Sequence, residues 1–327
     1  MTSEDQLIER TGRKFPSIKN GLRTGIGDDA AVLRPNARNE LVVTTDAFLE
    51  NVHFLRRVHS PRSVGYKALA RATSDLAAMG ARSRYFLLTL ALPGSCTGKW
   101  LDDFLEGMAR AARRFGLTLV GGDTTKYRTV MISLTVIGEI DPGRAILRSG
   151  ARLGDLICVS GKLGEAELGL RLVQTGLYEK KRWEKLLKKH FYPEPRLALG
   201  QRLVELKCAT SMIDTSDGLS TDLGHICSSS KVGARIWAEK IPVVNVPAGL
   251  KRLNLDPLRL ALHGGEDYEL LFTVPKRLAS LLTPRLAGVP VTIIGEIRRG
   301  RGIILVGRGG VEKSLRPSGW DPFRSRK

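Results

Sequence analysis

Lys and Arg outnumber Asp and Glu by 52 to 33 in this 327-residue chain, so the places where acids do gather are informative. Six short motifs set carboxylates among small residues beside apolar runs: Gly27-Asp28-Asp29, Thr44-Thr45-Asp46, Thr73-Ser74-Asp75, Gly121-Gly122-Asp123, Asp214-Thr215-Ser216-Asp217 and Gly264-Gly265-Glu266-Asp267. Carboxylates and hydroxyls are ligands for hard cations. Magnesium in particular keeps several waters and is shared between a few protein carboxylates and substrate phosphates. Glycine beside them lets backbone approach a phosphate closely. Six motifs hold more acids than one ion needs, which points to several ions.

Each motif also has an ordinary alternative. Asp after Gly makes turns, and Ser/Thr-x-x-Asp caps helices. Alone, Asp28 or Asp29 reads as a turn residue and Asp217 as an N-cap for a helix after Gly218. Asp75 resists this best, because it sits inside an Ala- and Leu-rich helical segment where aspartate has poor propensity. Familiar phosphate motifs are missing: there is no GxxxxGK[ST] loop and no HRD or DFG set. Gly25-x-Gly27-x-x-Ala30 precedes a strand instead of joining a strand to a helix, so it is not a dinucleotide fingerprint. His53, in Asn51-Val52-His53-Phe54, reads first as a structural histidine, with its nearness to Asp46 keeping substrate contact open. Arg148 offers a planar fork of donors that suits a phosphate.

The elements that must position these residues alternate along the chain. Leu41 to Thr45 is an apolar, β-branched strand that delivers Asp46. Ser60-Pro61 is an N-cap followed by a first-turn proline, and the helix it opens carries Asp75 and ends at Gly80. Strands are expected at Phe86 to Leu92, Leu117 to Val120 and Val130 to Ile137, with a helix from Trp100 to Phe115 closed by Gly116. Gly, Pro and Arg cluster between Asp141 and Gly154, which places a boundary there and gives domains at 1–145 and 146–327. The second half continues with strands at 156–160, 211–214, 268–274, 291–297 and 302–306. Its helices are expected at 164–175, around 183–189, at 196–207 and at 220–229. Both halves read as α/β, with mixed sheets flanked by helices.

Bulk features exclude some classes. A 42% hydrophobic fraction suffices for a core in each domain, and no apolar run approaches the roughly 18 residues of a membrane span. The acidic opening MTSEDQLIER is not a secretory signal, and four scattered cysteines form no CxxC pair, so a cytoplasmic address is expected. The net charge of +19 admits nucleic-acid binding or attraction of anionic substrates, but the basic residues are spread out and no aromatic-interleaved motif accompanies them. The densest run, Glu179 to Lys189, has Trp183, Leu186 and Leu187 at helical spacing and reads as an amphipathic surface helix.

In their order the motifs resemble the thiamine-monophosphate kinase family, within the ATP-binding superfamily that includes aminoimidazole ribonucleotide synthetase. The matching pieces run from Gly25-Ile-Gly-Asp-Asp-Ala-Ala-Val-Leu33 through Thr44-Thr-Asp46, His53-Phe54, Tyr66-Lys-Ala-Leu-Ala70, Ser74-Asp-Leu-Ala-Ala-Met-Gly80, Gly121-Gly-Asp-Thr-Thr125 and Arg148-Ser-Gly150. They continue through Ile213-Asp-Thr-Ser-Asp-Gly-Leu219 and Asp222-Leu-Gly-His-Ile226 to Gly264-Gly-Glu-Asp-Tyr-Glu-Leu270, nearly the whole chain. The resemblance implies an aminoimidazole ribonucleotide synthetase-like fold and transfer of the ATP γ-phosphoryl group to thiamine monophosphate, giving thiamine diphosphate. It implies magnesium held by Asp29, Thr44, Thr45, Asp46, Asp75, Asp123, Asp214 and Asp217. ATP would meet Gly122, Asp123, Arg148 and Ser216, and thiamine monophosphate would meet His53, Glu266 and Trp320. It implies no covalent nucleophile, and a homodimer paired through N-terminal domains. Other superfamily enzymes fit less well: no cysteine precedes Cys96, the tail Ser325-Arg-Lys327 ends without one, and Gly264-Gly-Glu-Asp-Tyr-Glu favours the thiamine enzyme over aminoimidazole ribonucleotide synthetase. A basic nucleic-acid-binding protein is disfavoured by the same acids, which repel a phosphate backbone.

Overall fold

Ser60 and Pro61 open the first long helix as their types dictate. In the computed structural model, which describes residues 10–15, 22–24, 32–33 and 38–320, the Ser60 hydroxyl accepts the Ser63 N–H at 3.2 Å. Helix α1 (Pro61–Met79) ends where Gly80 turns left-handed, and α2 (Lys99–Phe115) ends in the same way at Gly116. The chain divides into two compact units, residues 1–76 with 81–144 and residues 77–80 with 145–327. No helix among the described residues is long and apolar enough to cross a membrane.

In the first unit residues 10–14 are helical, and β1 (Leu22–Thr24) and β2 (Val32–Leu33) form a small antiparallel pair. Strands β3 (Glu40–Leu49), β4 (Arg82–Leu92), β5 (Thr118–Lys126) and β6 (Met131–Ile140) form a sheet in the order β3-β6-β4-β5. Only β4 and β5 run parallel, so the sheet is mixed. Every second residue faces the helices: Phe48, Phe86, Leu88, Leu90, Ile132, Leu134 and Val136 are buried, as are Leu69, Leu76, Phe104 and Met108 on α1 and α2. The two helices touch at glycines. A Cβ on Gly65 would lie 2.1 Å from the Phe104 carbonyl oxygen, and one on Gly107 would lie 2.0 Å from that of Arg62. The opposite sheet face is much less covered: Leu41 and Val43 on β3 are 50% and 59% exposed, and Met131 on β6 is 39% exposed.

The second unit contains β7 (Leu156–Ser160), β8 (Ser211–Asp214), β9 (Gly233–Trp237), β10 (Leu270–Val274), β11 (Arg285–Leu286), β12 (Val289–Arg298), β13 (Ile303–Val306) and β14 (Glu312–Leu315). They form one sheet in the order β14-β13-β9-β12-β7-β10-β8, with β11 on β12; only β13 and β9 pair in parallel. The helices are α3 (Glu165–Gln174), α4 (Glu184–Phe191), α5 (Leu197–Leu206), α6 (Leu219–Ser230) and α7 (Pro257–His263). Both faces of the central strands are buried. Ile157, Val159, Ile213 and Leu271 belong to one apolar cluster with α6, while Cys158, Met212, Leu270 and Phe272 belong to another with α5. This is why β7, β8 and β10 read as continuous apolar runs.

Candidate active site

In the first unit, strand alternation sorts the Thr44-Thr45-Asp46 motif between two faces. Thr44 and Asp46 face α1, where the Thr44 hydroxyl donates to Asp75 Oδ2 at 2.5 Å. Arg71, one turn earlier on α1, donates from Nε and Nη2 to the two Asp46 oxygens at 3.2 and 3.4 Å and lies 5.1 Å from the Phe48 ring centroid. Asp46 therefore does not stand as a bare anion. The Thr45 side chain is on the other face, bonded to Thr135 Oγ1 at 3.4 Å, so its hydroxyl is not part of the Thr44–Asp75 pair. Asp123 pairs in register with Thr89, which pairs with Ser133 and through it with Ala47, the row next to Thr45. Gly122 must be glycine, since a Cβ there would lie 1.9 Å from the Leu88 carbonyl oxygen. Asp29 lies outside the described residues.

His53 is held by its own turn. Its Nδ1 accepts the Leu49 N–H at 3.0 Å, so the neutral ring carries its proton on Nε2. The ring stacks on Phe48 with centroids 5.7 Å apart.

In the second unit two of the motifs are adjacent. The Glu266 N–H donates to the Ser216 carbonyl at 2.8 Å and the Tyr268 N–H to that of Thr215 at 3.0 Å. Gly265 permits the approach, since a Cβ there would lie 2.4 Å from the Ser216 oxygen. Trp320 joins them: its N–H donates to the Asp217 carbonyl at 3.0 Å, and a Cβ on Gly319 would lie 1.8 Å from that oxygen. Asp214, Ser216, Asp217, Glu266 and Trp320 thus share one end of β8. Arg148 does not join them through its backbone. Its neighbour Leu147 accepts the Met212 N–H, and its own carbonyl accepts from Ser230 Oγ, at the far end of α6.

Two acids beyond the expected set are prominent here. Asp222 is buried, and its carboxylate accepts the Gly218 N–H at 2.9 Å. It serves the first turn of α6, whose N-cap position is Gly218. Burial, together with Asp214 and Asp217, pushes the Asp222 carboxyl well above the usual carboxylate range. Glu269 is fully buried and ion-paired with Lys189 and Arg196. Both lie in motifs the sequence presents, Asp222-Leu-Gly-His-Ile226 and Gly264-Gly-Glu-Asp-Tyr-Glu-Leu270; what the sequence does not show is that Glu269 pairs with Lys189, from the run read as an amphipathic surface helix, and with Arg196 at the start of α5.

The donor set fits a hard cation. All the candidate ligands are oxygens, the Ser74 and Thr124 hydroxyls beside Asp75 and Asp123 are buried with no hydrogen-bond partner, and the raised Asp222 marks a negative cluster that a cation would relieve. Among the described residues no group of three or more His, Cys, Asp or Glu is arranged to hold a metal alone. Waters and substrate phosphates would have to complete any coordination shell, as magnesium prefers.

Known proteins agree with this chemistry. A family described as AIR synthase related protein, N-terminal domain, matches residues 27–140. Thiamine-monophosphate kinase of Escherichia coli K12 is 39% identical over 328 residues, 98% of each chain. The crystal structure of thiamine-monophosphate kinase from Stenotrophomonas maltophilia K279a superposes with a TM-score of 0.80 at 37% identity, covering 94% of this chain and 96% of that one. AaThiL complexed with AMPPCP and TMP gives 0.78 at 33% identity, covering 97% and 96%. With identity at this level along almost its full length, this chain belongs to the thiamine-monophosphate kinase family.

Proposed function

We propose that the chain transfers the γ-phosphoryl group of ATP to the phosphate of thiamine monophosphate, forming thiamine diphosphate, as a phosphotransferase of thiamine biosynthesis. The observation that carries this is the near-complete match to thiamine-monophosphate kinases, including one bound to an ATP analogue and TMP. Asp29, Thr44, Thr45, Asp46, Asp75 and Asp123 from the first unit, with Asp214 and Asp217 from the second, are the residues we assign to magnesium. When bound, the ions neutralise phosphate charge and hold the reacting oxygens in line. Thr45 would contribute its backbone oxygen or a ligand on its own face. Arg71 offsets the Asp46 charge before any cation arrives. Gly122, Asp123, Arg148 and Ser216 are assigned to ATP. His53, and Glu266 and Trp320 beside the Asp217 loop, are assigned to thiamine monophosphate.

We assign a homodimer as well, since the first unit presents Leu41, Val43 and Met131 on one partly bare sheet face and a second copy is the occupant the family pairing suggests. Four free cysteines fit a cytoplasmic address. The test of function is direct: incubate the protein with ATP, magnesium and a panel of phosphorylated metabolites. Thiamine diphosphate formed only from thiamine monophosphate is the expected result; turnover of another acceptor instead would overturn the reading.

A further inference from the structure

The basic run Glu179 to Lys189 reads as an amphipathic surface helix, but the basic residues at its end are withdrawn from solvent. Lys189 and His190, on the last turn of α4, are largely or wholly withdrawn from solvent. Gly169 on α3 makes this possible: a Cβ there would lie 2.6 Å from His190 Cβ, so only glycine lets α4 pack this closely. From that position Lys189 pairs with Glu269, and His190 Nδ1 lies 3.6 Å from Glu266 Oε2. Arg196 adds a bidentate contact to Glu269, with Nε at 2.7 Å, and the Ser160 hydroxyl donates to it at 2.5 Å. Gly161 leaves room for the carboxylate, which a Cβ would meet at 2.3 Å.

The loop these groups grip is strained. Glu266 and Tyr268 both have positive φ, at 66° and 50°, a conformation that non-glycine residues keep only where surroundings over-determine it. Asp267 between them accepts the Gly164 and Ala166 N–H groups at 2.5 and 2.9 Å. The loop is therefore tied at Asp267 to α3, at Glu269 to α4 and α5, and along its backbone to Thr215 and Ser216. Burial alone would raise the Glu269 carboxyl, but Lys189 and Arg196 outweigh it and hold the group at about 2.

We infer that Lys189 and His190, at the end of α4, are positioning residues for the acceptor: through Glu269 and Glu266 they fix the 264–269 loop in the conformation that recognises the thiamine moiety, and they do not govern ATP binding. The inference rests on the assignment of Glu266 to thiamine monophosphate. It makes α4, a basic helix that contributes no ligand of its own, a determinant of acceptor specificity.

The experiment compares the parent with Lys189→Met, which keeps the alkyl stem, with Lys189→Arg, and with His190→Gln. KM for thiamine monophosphate and for ATP are measured separately, together with the melting shift produced by each ligand. Small displacements of a binding group by a remote substitution can cost about 10-fold or more, so Lys189→Met, by loosening the loop that carries Glu266, should raise KM for thiamine monophosphate by that factor with KM for ATP changed less than about 2-fold. Lys189→Arg should recover most of the loss, and His190→Gln should shift in the same direction. If Lys189→Met does not fold, His190→Gln decides alone. Equal losses for both ligands, or losses that follow the drop in melting temperature, overturn the inference and leave the activity standing. A parent that does not use thiamine monophosphate overturns the underlying reading, and the inference falls with it.

Discussion

Asp75 carries the most discriminating test of the metal assignment. Its carboxylate takes the Thr44 hydroxyl at 2.5 Å on the helix-facing side of β3, and an asparagine there can still accept that bond through its amide oxygen. Packing should survive in Asp75→Asn while one negative charge disappears. Loss of an anionic magnesium ligand at a phosphoryl-transfer site should lower turnover about a hundredfold or more; if Asp75 serves only to accept the Thr44 bond, which asparagine retains, activity should hardly change. A variant that melts near the parent and keeps more than about a tenth of its turnover would sink the assignment. Glu269 makes a prediction of a different kind. Its carboxyl is held at about 2, against an ordinary 4.5. A folded-state pKa below the unfolded one contributes stability that is complete above about pH 4.5 and is lost as pH falls toward 2. Denaturation midpoints across that window should decline in the parent and decline less in Glu269→Gln; parallel profiles would show that the ion pairs are not coupled to folding.

At the scale of elements, the helix-forming glycines are the most telling. Gly107 lies inside α2, where propensity alone would count it a cost of about 1 kcal/mol relative to alanine. The structure reverses that, because its missing Cβ lets Arg62 on α1 come within van der Waals range. Gly107→Ala should therefore destabilise by about 1–3 kcal/mol through overpacking, read as a lower urea midpoint with unchanged slope; a stabilised variant would mean that α1 and α2 separate freely. Much else at this scale was legible in the sequence. Ser60-Pro61, Gly80 and Gly116 marked helix ends correctly, and the apolar, β-branched runs located β3, β7 and β8. Helix α7 was not expected: its start, where the Asp256 carboxylate accepts the Leu258 N–H at 3.0 Å, opens only 7 residues, too few to show periodicity. The strands β9 and β14 escaped for a related reason. Gly-Ala-Arg-Ile-Trp is too short to alternate, and Glu-Lys-Ser-Leu is a polar edge strand whose assignment depends on its partner β13. The site divides in the same way. Acid motifs announce themselves by composition, whereas the Lys189–Arg196–Glu269 contacts join residues about 70 to 80 positions apart, which no local pattern encodes.

At the scale of the whole molecule, the outer face of the first unit's sheet leaves several large apolar side chains exposed among the described residues. Alternation places Leu41, Val43 and Thr45 on that face of β3, in register with Glu139, Ile137 and Thr135 on β6. β3 is also the edge of its sheet. Long edge strands with apolar faces are usually blunted or covered, because they otherwise invite uncontrolled pairing. A two-fold partner covers such a face with the same face of another copy, an isologous contact that closes and leaves no further apolar surface. A specific dimer typically buries about 800 Å² on each side, more than Leu41, Val43 and Met131 could supply alone, so the contact must extend beyond these three side chains. Val43→Asp places a charge among the exposed apolar side chains of this face without touching the core beneath it. Light scattering should report twice the chain mass for the parent at micromolar concentration and a single chain for the variant, with the variant's circular dichroism unchanged. A parent that runs as a monomer would remove the dimer assignment, and a variant that remains dimeric would move the interface away from β3.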